Sequence, residues 1–421
     1  MIKKIRYISI FLLLSTTASM AQNKISSPYS RYGLGTLNNR NTISSLSMGG
    51  LSKGVQLRNT INIGNPASFQ SIDSLGFMVD ASIYTFNGNA KNSTAEQSSS
   101  YISLGYISLG FSINKIWKTS IGVLPFSDIG YKISVAGTDT NFGNHSYQYF
   151  GDGGLTQLYW GNSLKIFKGL SIGLNSSYIF GTLNKNRSVQ FTDLNFLGTN
   201  EKVKTNIKGF NFLLGAQYKK ELKSDYFITT GLTYGIKSDL NATDEIFTTT
   251  FLINSLGNRV TKDTIENNVS KEGKITIPMS LGGGFSFGKE DNFLVGVDFD
   301  WQNWSKYSIY NKSDSLTNSF QIAIGGLYVI NPTSNKFIEK IKYSAGFRYG
   351  KSYLELKNTT LNEYGINFGL SIPLKRKNSL NIGVEIGKRG TVANNLIQES
   401  FTKIYIGLKL WDNMYVRKKL D

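Results

Sequence analysis

The sequence contains no cysteine, one histidine (His145) and only 6 prolines in 421 residues. Without cysteine there are no disulfides, thiolate metal sites, Cys nucleophile or acylated N-terminal Cys. One histidine excludes a multi-His metal site within the chain. No stretch after the first twenty residues approaches the roughly 20 apolar residues of a membrane-spanning helix. Scarce proline fits long uninterrupted ladders, which cannot lose N–H donors in their interior.

Glycine (43) and aromatic residues (13%) are plentiful, whereas hydrophobic residues make up only 40%. A helical membrane protein needs more; a barrel does not, because only alternate residues of its strands meet lipid. The formal charge of +18 is spread over many turns, including Lys375-Arg376-Lys377 and Arg417-Lys418-Lys419. A nucleic-acid binder concentrates its charge in a stripe on a recognisable module, and none is visible.

The N-terminus reads as an export signal. Lys3, Lys4 and Arg6 precede a short apolar core at 8–14, and Ser19-Met20-Ala21 offers small residues for cleavage before Gln22. Residues 22–73 lack long alternation but hold Tyr29, Tyr32, Leu34, Met48, Leu51 and Phe69. That apolar content favours an ordered hatch or plug over a disordered leader. Residues 74–411 read as the barrel and 412–421 as a basic periplasmic tail.

The most informative stretch is 274–310. Ile275, Ile277, Met279, Leu281, Phe285 and Phe287 share one parity. After a turn at 289–292, Phe293, Val295, Val297, Phe299 and Trp301 share one face, with Asp298 and Asp300 on the other. This period of two marks strands, and strands apolar on one face and ringed by aromatics suit a membrane barrel. The same unit recurs from 75 onward in about fourteen strands, near 75–88, 98–113, 119–135, 154–166, 169–183, 203–221, 225–241, 273–288, 292–304, 316–330, 341–356, 361–374, 378–390 and 398–411. Their connections alternate. Short links near 114–118, 167–168, 222–224, 289–291 and 375–377 suit periplasmic turns, and longer ones at 136–153, 184–202 and 242–272 suit external loops. The reading is an all-β, transmembrane antiparallel barrel of about 14 strands with an N-terminal hatch, integral to a bacterial outer membrane and in contact with its lipids.

The alternation assigns faces. Leu380, Ile382, Val384 and Ile386 point to lipid, leaving Glu385 and Arg389 in the lumen with Asp298, Asp300 and Arg348. Trp301, Trp304 and Trp411 are expected at the membrane interface. Proline stiffens Asn65-Pro66-Ala67, which with Gly49 and Gly50 marks the candidate hatch or gate. Gly282-Gly283-Gly284 lacks the Lys-Ser/Thr of a phosphate loop and suits close backbone packing. His145 suits a loop surface. No catalytic residue or cofactor is expected.

Several pieces, in order, resemble the outer-membrane long-chain fatty-acid transporter family (FadL-like): Met48-Gly49-Gly50 to Asn65-Pro66-Ala67, Pro278, then Asp298 with Trp301, Trp304 and Ser305, Phe347-Arg348-Tyr349-Gly350, and Pro373-Leu374. The resemblance implies a fourteen-stranded barrel plugged by its N-terminal segment and passive uptake of hydrophobic small molecules such as long-chain fatty acids. The Ser27–Gly35 stretch departs from that transporter pattern. Some family members look like accessory subunits of outer-membrane secretion or barrel-assembly machines, so the fold leaves two partners open, a hydrophobic ligand or protein subunits.

Overall fold

The computed structural model describes residues 27–413 except 75, 194 and 255; the export signal and most of the basic tail lie outside them. Among the described residues no helix is long and apolar enough to cross a membrane.

Fourteen antiparallel strands close into a barrel. They are β1 (Gly76–Lys91), β2 (Glu96–Ser112), β3 (Trp117–Asp139), β4 (Gly143–Phe167), β5 (Leu170–Phe191), β6 (Gly198–Glu221), β7 (Tyr226–Gly235, resumed as Ser238–Ile253), β8 (Arg259–Ile277, resumed as Ser280–Lys289), β9 (Phe293–Gln302), β10 (Ser319–Val329), β11 (Lys342–Leu356), β12 (Thr359–Pro373), β13 (Ser379–Gly390) and β14 (Gln398–Asn413). β14 pairs with β1 from Gln398↔Lys91 to Asn413↔Gly76, which completes the closure.

Pro278 marks the interruption in β8. Without an N–H it cannot continue the ladder, and the facing order flips there. Ile275 and Ile277 are buried inside, whereas Leu281 and Phe285 are exposed on the outer wall. The single parity read along 275–287 therefore belongs to two faces.

The long external loops expected at 136–153, 184–202 and 242–272 are mostly strand. β3 and β4 stay paired from Lys132↔Phe150 to Asp139↔Gly143, and β6 pairs with the second half of β7 from Lys208↔Asn241 to Gly198↔Phe251. Without lipid on one side, polar and apolar residues no longer need to segregate cleanly, so alternation fades while pairing continues. At 25 residues β4 dwarfs the 10 residues of β9, so this side of the barrel stands far above the other.

One seam is short. β2 pairs with β3 only from Ile107↔Val123 to Ser112↔Lys118. Above it β3 bulges between Pro125 and Ser127 and pairs instead with the N-terminal segment, Thr36↔Asp128 and Leu37↔Ser127.

Candidate functional site

Residues 27–73 run through the barrel from its tall end to its short-turn end. Ser27 starts a 3-10 turn at Pro28–Arg31, its Oγ accepting the Tyr29 N–H while Pro28 takes the first position, where no donor is needed. Ser27 N–H donates to Gly130 O at 3.0 Å and Asn38 N–H to Phe126 O at 2.9 Å. The strip thereby lines the part of β3 that β2 does not reach. The Tyr29 hydroxyl accepts the Ile397 N–H at 3.0 Å and donates to the Ile397 carbonyl, and burial pushes its pKa up to about 12.

In the middle, one carboxylate gathers three successive backbone donors. Asp298 Oδ2 accepts from Ser52 N–H at 2.5 Å and Lys53 N–H at 2.7 Å, and Oδ1 from Gly54 N–H at 3.4 Å. Lys53 Nζ reaches Asp300 at 3.1 Å. Hydrogen bonds to an ionised acceptor are the strong class, and Asp298 is 2% exposed. Gly49, at φ +76°, lies so close to β11 that a Cβ there would meet Phe347 O at 2.9 Å.

Asn65-Pro66-Ala67 begins a second 3-10 turn in which Asn65 Oδ1 accepts the Ala67 N–H at 3.1 Å. Asn65 Nδ2 donates to Lys53 O at 2.9 Å. Wall glycines make the room: a Cβ on Gly215 would lie 2.2 Å from Asn65 Oδ1, and one on Gly173 2.5 Å from Pro66 C. Gln217 donates to Lys53 O at 2.8 Å, Asn175 to Ile63 O at 3.0 Å and Ser163 to Ala67 O at 3.0 Å.

The opposite wall carries an ion-pair network. Arg348 lies 2.5 Å from Glu363 and 2.6 Å from Glu385, and Lys403 adds a longer contact to Glu385 at 3.7 Å. Arg389 pairs with Glu399 at 2.6 Å and donates to Ser27 Oγ at 2.9 Å, which ties the network to the N-terminal strip. Ser27 Oγ also bonds Glu399.

Toward the tall end apolar side chains pack into one buried cluster. Leu34 of the N-terminal segment joins Ile129, Leu155, Ile179, Ile207 and Leu240 from the wall with Trp304, Tyr307 and Leu316 from the β9–β10 link. Trp304 is thus no interface residue. It is 2% exposed and its ring lies 4.6 Å from that of Tyr353. Trp411 also departs from the expected position: it falls on the inward parity of β14, whose outer row is Ile404, Ile406, Leu408 and Leu410, and Lys377 sits 3.9 Å over its ring. Trp301 is half-exposed on the outer row with Val297 and Phe299.

Between mouth and N-terminal segment lies a cavity of about 390 Å³ bordered by Arg348, Glu363, Arg389, Lys403, Asp300 and Arg40. Its charges are of both signs and mostly mutually paired. Arg40 donates to Asn211 at 2.7 Å, and burial lowers its pKa to about 10, which leaves it cationic at neutral pH. Tyr84, Phe86, Tyr101, Phe401 and Tyr405 also line it, so paired charges and aromatic faces share the chamber. His145 lies partly exposed on β4 beside Tyr147. No group of three His, Asp or Glu suited to a metal occurs among the described residues.

The structure thus brings Asp298 and Asp300 to the N-terminal segment, and Arg348 with Glu385 and Arg389 with Glu399 to the facing wall. Sequence reasoning missed Lys53, Glu363, Glu399 and Lys403. For Glu363, Glu399 and Lys403 the signal was parity, since they share the inward rows of Glu385 and Arg389; Lys53 lies outside any strand and carries no such signal. It also missed the apolar closure, whose members named above come from the N-terminal segment, the five strands β3–β7 and the β9–β10 link.

Solved structures share this fold at low identity. The chain matches the toluene transporter TbuX of Ralstonia pickettii with a TM-score of 0.59 and 13% identity, covering 88% of this chain and 98% of that one. It matches a FadL homologue of Pseudomonas aeruginosa at 0.60 and 11%, covering 90% and 100%. The toluene transporter TodX of P. putida gives 0.59 and 15%, again with 90% and 100%. The barrel is therefore of the FadL-like type. No curated protein matches the sequence. The BamG family model, however, matches residues 1–421, the full length, and the chain belongs to the BamG family.

Proposed function

We propose that this protein is a non-transporting accessory barrel of an outer-membrane machine for protein secretion or barrel assembly, with residues 27–73 as a fixed plug. The observation that carries the reading is the closed interior. An apolar core at the mouth, a chamber crossed by ion pairs beneath it and a segment fastened to several walls obstruct the passage of a hydrophobic solute. Ligand pockets for such solutes are concave and mostly apolar; the chamber here sets ion pairs among its aromatic residues. Membership of the BamG family fits this role. The short turns would face the periplasm and the tall wall the exterior, as in other outer-membrane barrels.

A second reading, passive uptake of hydrophobic compounds, draws support from the fold shared with toluene transporters. One experiment separates the two. The tagged protein is captured from detergent-solubilised outer membrane and weighed by native mass spectrometry. Protein subunits in fixed stoichiometry support the accessory role. A lone barrel carrying fatty acid or another apolar compound in its interior sinks it.

A further inference from the structure

We infer that the outer wall of β9–β12 carries a specific phospholipid site: a groove for acyl chains beneath a cationic rim for the phosphate. Outward rows elsewhere on this wall are filled by bulky side chains. Val297, Ile324, Phe347 and Ile366, which lie side by side across β9–β12, are all exposed. The next row toward the short turns collapses, with Gly326 beside Ala345. The result is a groove of about 690 Å³ floored by Gly326 and Ala345 and walled by Tyr328, Tyr343, Phe368 and Leu370. Gly326 has no tolerance for a side chain there, since a Cβ would lie 2.3 Å from Leu294 O.

The occupant follows from depth and charge. An apolar depression on a lipid-facing wall is filled most readily by acyl chain, and Tyr328 and Tyr343 stand at its short-turn side, where aromatic rings mark the headgroup level. Just beyond is the 330–341 link, which the Tyr343 hydroxyl holds by donating to Ile338 O at 3.3 Å. That link exposes Ile330, Phe337 and Ile338, an apolar shelf that needs cover. Lys340 ends the 3-10 turn of this same link, and Lys375 is exposed on the β12–β13 turn at the same end of the barrel. Glu339, the shelf's own acid, is taken by Lys336 at 3.5 Å. The rim therefore presents cations to an anionic phosphate. The inference rests on the barrel lying in a bilayer, and it holds whichever role the lumen serves.

The test uses the full-length barrel, stripped of lipid by detergent exchange and offered phosphatidylglycerol or phosphatidylcholine before native mass spectrometry. Wild type should retain one lipid per barrel, with phosphatidylglycerol preferred. Ala345→Leu fills the groove and should weaken retention about tenfold, the loss of roughly two buried methylenes. Lys340→Glu with Lys375→Glu should leave retention of phosphatidylcholine intact and cut the anionic preference, by about fivefold per lysine. Heat-modified gel mobility confirms that each variant is folded, and Val295→Phe narrows the same groove should Ala345→Leu fail that control. Equal retention by the filled and open grooves would overturn the site, as would cross-links that map a protein strand into it. Both results are read on the isolated barrel, so they are independent of whether other subunits co-purify.

Discussion

Gly54 and Gly284 lie back to back. A Cβ on Gly54 would sit 2.6 Å from Gly284 C, and one on Gly284 would sit 2.6 Å from Gly54 N and 2.0 Å from Asp298 Oδ1. The contact lets the backbone of the N-terminal segment reach the Asp298 carboxylate. Gly284→Ala should therefore dislodge residues 52–54 at a cost of about 1–3 kcal/mol, the usual range for overpacking. Faster cleavage of the N-terminal segment by protease, in a barrel that still shifts normally on heating, is the expected result. Unchanged cleavage would mean that the wall yields instead.

Asp298→Asn keeps the shape but removes the charge that three N–H groups share. Hydrogen bonds to charged groups contribute about 1.5–3 kcal/mol, so deprotection of Ser52–Gly54 in hydrogen exchange should follow. The same substitution at Asp300, which is more exposed and holds only Lys53, should have an effect of less than about 1 kcal/mol.

Arg348→Met leaves the buried Glu385 and the partly buried Glu363 without their main cation. Breaking a buried pair from one side costs about 3–5 kcal/mol, so the urea midpoint should fall sharply. Adding Glu363→Gln and Glu385→Gln in the same background removes the stranded charges and should recover part of the loss. No recovery would show that packing of the guanidinium, not its charge, matters.

Asp73 gives a pH dependence with a definite sign. Burial alone would raise its pKa; hydrogen bonds from Lys377 and Asn59, with the charges of Lys377 and Arg58, outweigh that and hold it below the usual carboxylate value. A depressed folded pKa means the contribution is complete above the free value of about 3.9 and fades as pH falls through the folded pKa. Exchange protection around Asn59, whose N–H donates to Ser71 O at 2.9 Å, should be flat from neutral pH to about 5 and drop below about 4. Asp73→Asn should remove this acid limb.

Trp304→Ala tests the mouth. The side chain fills the space between Tyr307 and Tyr353, and its loss should cost about 3–5 kcal/mol in a rigid core. In planar bilayers wild type should conduct poorly, and the variant should gain ion conductance if the apolar closure is the barrier. A wild type that already conducts freely would contradict the closed interior.

The strand number and the inward side of the second half were legible because lipid enforces alternation on one face. Asp298, Arg348 and Glu385 could be placed from parity alone. The same physics explains the misreadings. Beyond the bilayer the constraint lapses, so β3–β8 continue as paired strands where loops were expected. Pro278 reverses the parity within β8, which no count across it reveals. Trp304 belongs to a link after the strand, where parity has no meaning. The closure it joins is long-range, built from residues tens to hundreds of positions apart, and period-two reasoning has no access to such contacts.

The wall is not equally strong all round. Where chain ends meet, β1 and β14 are zipped along 16 residue pairs, while β2 and β3, neighbours in sequence, hold only 6. Mechanically the barrel is a hoop with its notch beside the first hairpin, not at the join. Above the notch Thr36 and Leu37 act as a splint on β3. A barrel that assembles before its N-terminal strip has docked is therefore a cracked ring, and threading residues 27–38 into place is the step that makes it whole.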